Sequence, residues 1–107
     1  MDKTSFTTPV PSVANMLSRD GNVAANQFII SEPRRVIFQS YDSIIVVVEK
    51  NKEGNGDNVF IDKKKWDWSR TTSKYRSLFL GESTAETQRK IDAGDYIITD
   101  LNIKGDE

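Results

Sequence analysis

The 107-residue chain contains no cysteine and no histidine. Without cysteine there are no disulfides, no thiolate metal sites and no thiol nucleophile. Without histidine, the side chain that most often moves protons near neutral pH is missing, which closes the common acid–base and nucleophilic routes. What remains for catalysis is a Ser or Thr with a lysine base, or a carboxylate pair such as Asp42 with Asp62. Adjacent strands would have to bring those acids together before they could hold Mg²⁺ or act as acid and base. The plainer reading is that Asp42 shapes the turn before Ser43 and Asp62 ends a strand. The expectation is therefore a protein that is not an enzyme, with no catalytic residue, no metal and no cofactor. Long apolar runs are also lacking. The longest, residues 44–48, is far too short to cross a bilayer, and the opening MDKTSFTTPVPSV has an early acid and no apolar run of signal-peptide length. No membrane partner is expected.

The length fits one compact domain and leaves no room for a second core. A net charge of −1 gives no global attraction to nucleic acid or anionic lipid. The charge is unevenly placed, however. Residues 63–76 carry six basic side chains (Lys63, Lys64, Lys65, Arg70, Lys74 and Arg76) against Asp67 alone, a local sum of +5 that leaves −6 for the remainder.

The first two dozen residues are rich in Ser, Thr, Asn and Pro without a sustained period, which reads as a flexible arm over 1–24 with at most a turn around 13–17. A single domain is expected over 25–103, followed by a charged tail at 104–107. "QFIIS" reads as a strand that stops at Glu32-Pro33, where proline supplies the φ of a turn, and "RVIFQSY" follows as its hairpin partner. "SIIVVVE" is β-branched and apolar on both faces, as in a central strand; "KNKEGNGDN" is a polar loop and "VFID" a fourth strand. The period then changes from two to about 3.6 residues. Thr71 or Thr72 can cap a helix carrying Tyr75, Leu78 and Phe79 on one face, with Gly81 as its stop. Ser83-Thr84-Ala85-Glu86 is a capping box that opens a second helix closing at Gly94, its thin apolar face made by Ala85 and Ile91. "DYIITDLNI" is a last strand. The fold class is α+β: an antiparallel sheet of four to five strands with two short helices, in the order ββββααβ.

Three phrases in this order, "ANQFII", "FQSYDSIIVVV" and "WDWSRTTSKYRSLFLGESTAETQRKIDAGDYIITDLN", resemble a small uncharacterised domain family carried mainly by bacteriophages and related mobile elements. In that family a "FQSYxS" phrase, an aromatic "WDYS-TT-KYR-FLGE" phrase and a closing "GEYI–LN" recur. The similarity covers residues 21–102. Trp68 stands where the family usually has tyrosine, and the loop over 51–58 is longer than usual. The resemblance implies a phage context, an accessory role and a place in the host cell cytoplasm, with the virion as the other candidate compartment. It assigns no activity to any residue.

The basic and aromatic stretch "IDKKKWDWSRTTSKYR" is the candidate site. Bases stack on exposed aromatic rings while Lys and Arg neutralise phosphates, a combination that holds single strands without sequence readout. Lys63, Lys64, Lys65, Trp66, Trp68, Arg70, Lys74, Tyr75 and Arg76 have that composition. All six basic side chains are expected in solvent. The competing reading places one or both tryptophans in the core beside a wet rim of lysines. In an extended segment Trp66 and Trp68 would share one face. The glycines of "EGNGDN" do not make a phosphate cradle, because a strand follows them and not a helix. The expected partner is nucleic acid or a nucleic-acid-handling host protein, which would make the chain a host-defence inhibitor. The alternative is a homo-oligomeric structural or assembly protein of a phage, since strand 44–48 is apolar on both sides and the second helix offers little apolar cover.

Overall fold

A computed structural model describes residues 11–51 and 56–102. The element order is β1 (Ser12–Leu17), β2 (Val23–Glu32), β3 (Arg35–Ser40), β4 (Ser43–Lys50), β5 (Asp57–Asp62), α1 (Arg70–Leu80), α2 (Thr84–Asp92) and β6 (Tyr96–Thr99). The strands form one six-stranded sheet in chain order, antiparallel from β1 to β5. The α+β class and the two helices are as the sequence implies. The sheet is larger than expected, and its last strand runs parallel to β5 instead of antiparallel. A crossover through both helices returns the chain to the end of the sheet where β5 began, and that is the connection parallel strands need.

The extra strand lies in the segment read as an arm. Residues 12–17 pair with β2, and a turn closed by the Ser18 amide on the Asn22 carbonyl (2.8 Å) joins them, with Gly21 at φ 84°. Expectations for residues 1–10 and for the tail at 104–107 lie outside the described residues, as do residues 52–55 of the polar loop. Asp57 and Asn58, read as loop, open β5.

Helix boundaries follow local chemistry. Ser69, not Thr71 or Thr72, is the N-cap of α1: its hydroxyl accepts from the Thr72 amide. Gly81 ends the helix at φ 70°, where its own amide and that of Glu82 both reach the Ser77 carbonyl. Ser83 and Glu86 form the complete capping box of α2. Ala85 is exposed, so Ile91 is the apolar contact of that helix with the core and Thr87 is its buried residue.

Both helices lie on one side of the sheet. The core there gathers Met16, Ala24, Phe38, Ile45, Val46, Ile61 and Tyr75, with Leu78, Phe79, Leu80 and Ile91 packed against it from the helices. The Phe38 and Phe79 rings stack at 5.7 Å. An additional residue in β4 opposite β3, next to Ile44, lets Ile45 and Val46 both face this core. Phe38 is fully buried, and its truncation to alanine should cost about 3–5 kcal/mol.

Candidate nucleic-acid interface

The lysine triplet is positioned by an acid. Asp62, 1% exposed, ends β5 and accepts the Lys65 amide (2.9 Å) and the Lys64 amide (3.3 Å) on Oδ2 and the Leu101 amide (2.8 Å) on Oδ1. The chain therefore curls into a turn over residues 63–67 and does not stay extended. Both oxygens of Asp62 are engaged with backbone, so the carboxylate proposed as a partner for Asp42 has a structural task. Among the described residues no group of three or more Asp or Glu side chains is placed to hold a metal ion.

The turn sends the two tryptophans in different directions, contrary to the expectation for an extended segment. Trp66 packs against the core and lies under the Arg76 guanidinium, 4.9 Å from its ring centroid. Trp68 is 66% exposed, with the Lys65 ammonium 5.0 Å from its centroid. Lys63, Lys64, Arg70 and Lys74 are exposed and Lys65 partly so. Arg70 and Lys74 are one turn apart on α1 and share a face.

Two expected site residues leave the surface. Tyr75 is 7% exposed and belongs to the core. Arg76 is fully buried, because its guanidinium ties three segments together. It donates to the Trp66 carbonyl (2.5 Å) and to Thr84 Oγ1 (2.6 Å), and it sits 3.4 Å from the Asp67 carboxylate. Burial lowers its pKa, against the hydrogen bond and charge of Asp67, which raise it. Asp67 is also held by the Ser73 hydroxyl. Arg76 thus fastens the aromatic turn to α1 and to the start of α2.

Sequence reasoning missed Tyr41. It lies in the β3–β4 turn, at φ 56°, a backbone region that bulky side chains rarely occupy, and it is 52% exposed. Tyr41, Asp42 and Ser43 share a cleft of about 130 Å³ with Lys65, Trp68 and Thr72. The cleft floor is fixed: the Ser40 and Thr72 hydroxyls are 3.0 Å apart, and Ser69 donates to Thr72 Oγ1 (3.1 Å). Two exposed aromatic rings therefore line one cleft beside the first turn of α1, which carries no acid. The signal in the sequence was a lone aromatic inside a two-residue turn between strands. Arg19 is a second addition, since it borders a larger, shallow depression with Lys74.

Below this surface the helices are joined to β6 by Glu82. Its side chain, 5% exposed, accepts from Lys90 Nζ (2.8 Å) and Tyr96 Oη (2.8 Å) on one oxygen and from Thr87 Oγ1 (2.6 Å) on the other. Burial raises the Glu82 pKa, but the bonds from Lys90, Thr87 and Tyr96 outweigh it and hold the group below the usual carboxylate range. The hydrogen bond to Glu82 raises the Lys90 pKa.

These features define a small α+β domain with an open six-stranded sheet, two helices on one face and a cationic, aromatic rim where sheet and first helix meet. The chain belongs to DUF8033, a family of unknown function whose model matches residues 12–95. No curated protein and no solved structure matches the chain.

Proposed function

We propose that the protein is a non-catalytic accessory protein of bacteriophage origin that works in the host cytoplasm by binding single-stranded nucleic acid, free or held by a host nucleic-acid-handling protein. The observation that carries this reading is Trp68: a tryptophan 66% exposed, topped by Lys65 and sharing its cleft with the exposed Tyr41. A large apolar ring held in solvent beside cations is what base stacking requires, and each stacked base contributes about 1–3 kcal/mol. Lys63, Lys64, Lys65, Arg70 and Lys74 supply the phosphate contacts; Arg76, Tyr75 and Trp66 support the surface from beneath. The phage assignment and the host-defence role rest on the sequence phrases alone.

The test is a titration of intrinsic fluorescence with a short single-stranded oligonucleotide at several salt concentrations. Binding should quench Trp68, and Trp68→Ala should abolish most of the quench and weaken binding by about 1–3 kcal/mol. Five phosphate contacts predict a roughly 100-fold loss of affinity between low and physiological salt. Lys64→Glu with Lys74→Glu should flatten that salt slope. Equal affinity for the wild type and both variants would sink the proposal.

A further inference from the structure

The cleft between the β3–β4 turn and the first turn of α1 is held from both sides. Tyr41 keeps its φ of 56° through two bonds: its amide donates to the Asn26 carbonyl (2.7 Å), and its carbonyl accepts from Gln39 Nε2 (2.8 Å). Backbone fixed in so sparsely occupied a region clusters at ligand sites. Beyond the turn, the Asn102 side chain accepts from the Ile44 amide (2.7 Å) and donates to the Ile44 carbonyl (2.8 Å). The cleft is preformed. Its floor also has a proton to give. Ser40 and Thr72 are each 3% exposed and both line the cleft. Ser69 donates its hydroxyl proton to Thr72 Oγ1, and one proton, from Ser40 or from Thr72, makes the 3.0 Å bond between that pair. The other hydroxyl proton of the pair is spent in neither bond. Gln27 does not take it, although it stands in register with Ser40, since among the described residues neither of its amide atoms has a partner. The lining includes Asp42 as well, whose carboxylate lies 3.4 Å from the Ser43 hydroxyl and offers acceptors only. A carboxylate repels phosphate, so this cleft selects a ligand edge that carries a donor.

We propose that the cleft is a pocket for one cytosine base of a single strand, an inference that rests on single-stranded nucleic acid being the ligand. Size and polarity each remove part of the alternatives. A cavity of about 150 Å³ holds benzene, so the 130 Å³ here takes one six-membered ring, and the second ring of a purine would stand outside. Among single-ring bases, cytosine carries an amino donor at N4 beside two acceptors, N3 and O2. Asp42 accepts from N4, the pairing that acidic side chains make with this base, and the remaining floor proton goes to N3 or O2. Thymine and uracil put a carbonyl where cytosine has the amine. Their one donor on that edge, N3–H, lies between two carbonyls, so a carboxylate reaching it meets an acceptor on each side. Trp68 and Tyr41 supply the rings on which the base stacks. Unpaired bases present this edge and a duplex hides it, which confines the recognition to single strands.

Two measurements on the full chain test this. Fluorescence titrations compare a short all-thymine strand with the same strand carrying a single central cytosine or adenine, and backbone NMR follows the Ser43 and Thr72 amides as free cytidine, uridine or adenosine is added. The cytosine strand should bind about 10-fold more tightly than the other two. Cytidine should move both amides, and the other nucleosides should not. Asp42→Asn, whose amide can serve either pyrimidine, should erase the difference between cytosine and thymine with an unchanged circular dichroism spectrum. Equal affinities for the three strands overturn the pocket and leave strand binding standing, whereas cytidine shifts in a protein that binds no strand keep the base pocket and remove the strand. Silence in both measurements overturns both. A cytosine preference that survives Asp42→Asn overturns the role given to the carboxylate, and an adenine strand that matches the cytosine strand overturns the argument from size.

Discussion

Gln27 should be a place where the protein gains stability from losing a polar group. The residue is fully buried on β2, in register with Ser40 on the helix side of the sheet. Among the described residues, neither its Nε2 nor its Oε1 has a hydrogen-bond partner. A buried polar group left unpaired costs about 1–3 kcal/mol relative to its hydrated state. Gln27→Met keeps the length and approximate volume of the side chain and removes both amide atoms. The expected gain is about 1–3 kcal/mol, which for a domain of this size raises Tm by roughly 5–15 °C. Thermal denaturation followed by circular dichroism, with chemical denaturation as a second measure of ΔG, reads it directly. Gln27→Ala serves as the control: it removes the same two atoms but leaves a cavity, so it should gain less or lose stability. If Gln27→Met instead destabilises the fold by more than about 1 kcal/mol, the amide is hydrogen-bonded in solution and the reasoning fails.

Arg76→Ala should cost about 3–5 kcal/mol, since it leaves a void where the fully buried side chain was and removes the donor to the Trp66 carbonyl and Thr84 Oγ1, whereas charge reversal at Lys64 and Lys74 should leave Tm nearly unchanged. Denaturant titration of the three variants separates the two classes, and a mild Arg76→Ala would show that the guanidinium is not the fastener described. The Glu82 pKa is depressed in the fold, so its contribution is complete above the unfolded carboxylate value of about 4.3 and is lost as pH falls through the lower folded value. A Tm profile across acid pH should therefore be flatter on its acid side for Glu82→Gln. The raised Lys90 pKa acts at the other end, its contribution being lost only as pH climbs past the usual lysine range. Asp62→Ala should shift the backbone resonances of Lys64, Lys65 and Leu101 together, and an effect confined to one of the two segments would contradict the shared anchor.

Much of the fold was legible because its signals are local. Pro33 in the first long hairpin, Gly81 as a helix stop and the Ser83–Glu86 box each act within a few residues. β1 was missed although Asp20-Gly21 is a hairpin dipeptide, because the apolar residues of SVANML do not alternate: Val13 stands next to Ala14 and Met16 next to Leu17, and of the six only Met16 is buried on this edge strand. The parallel direction of β6 could have been inferred from the two-helix crossover that precedes it. The site was harder. The alternation rule failed at Trp66 and Trp68 because the Asp62 carboxylate curls the chain there. Arg76 looks like any other cation in "SKYRS", and only the approach of Thr84 from the next helix shows that it is interior. Tyr41 joins Trp68 across residues far apart in the chain, a contact that no local pattern encodes.

Because the sheet is laid down in chain order, each of the first four strand pairings joins neighbours that leave the ribosome in succession. The sixth strand breaks this habit. Asp62 must wait for Leu101, 39 residues later, before its second oxygen is paired, and the Ile44 backbone waits 58 residues for the two-point clasp of the Asn102 amide. Until then Ile44 has no neighbour on the side that β5 has left, and the lysine turn is held by only one end of its anchor. Synthesis therefore runs from a meander that can form early to a late locking step. In that step the last few described residues secure both the sheet and the cationic rim, so a protease cut just before Leu101 would loosen the lysine turn without touching any residue in it.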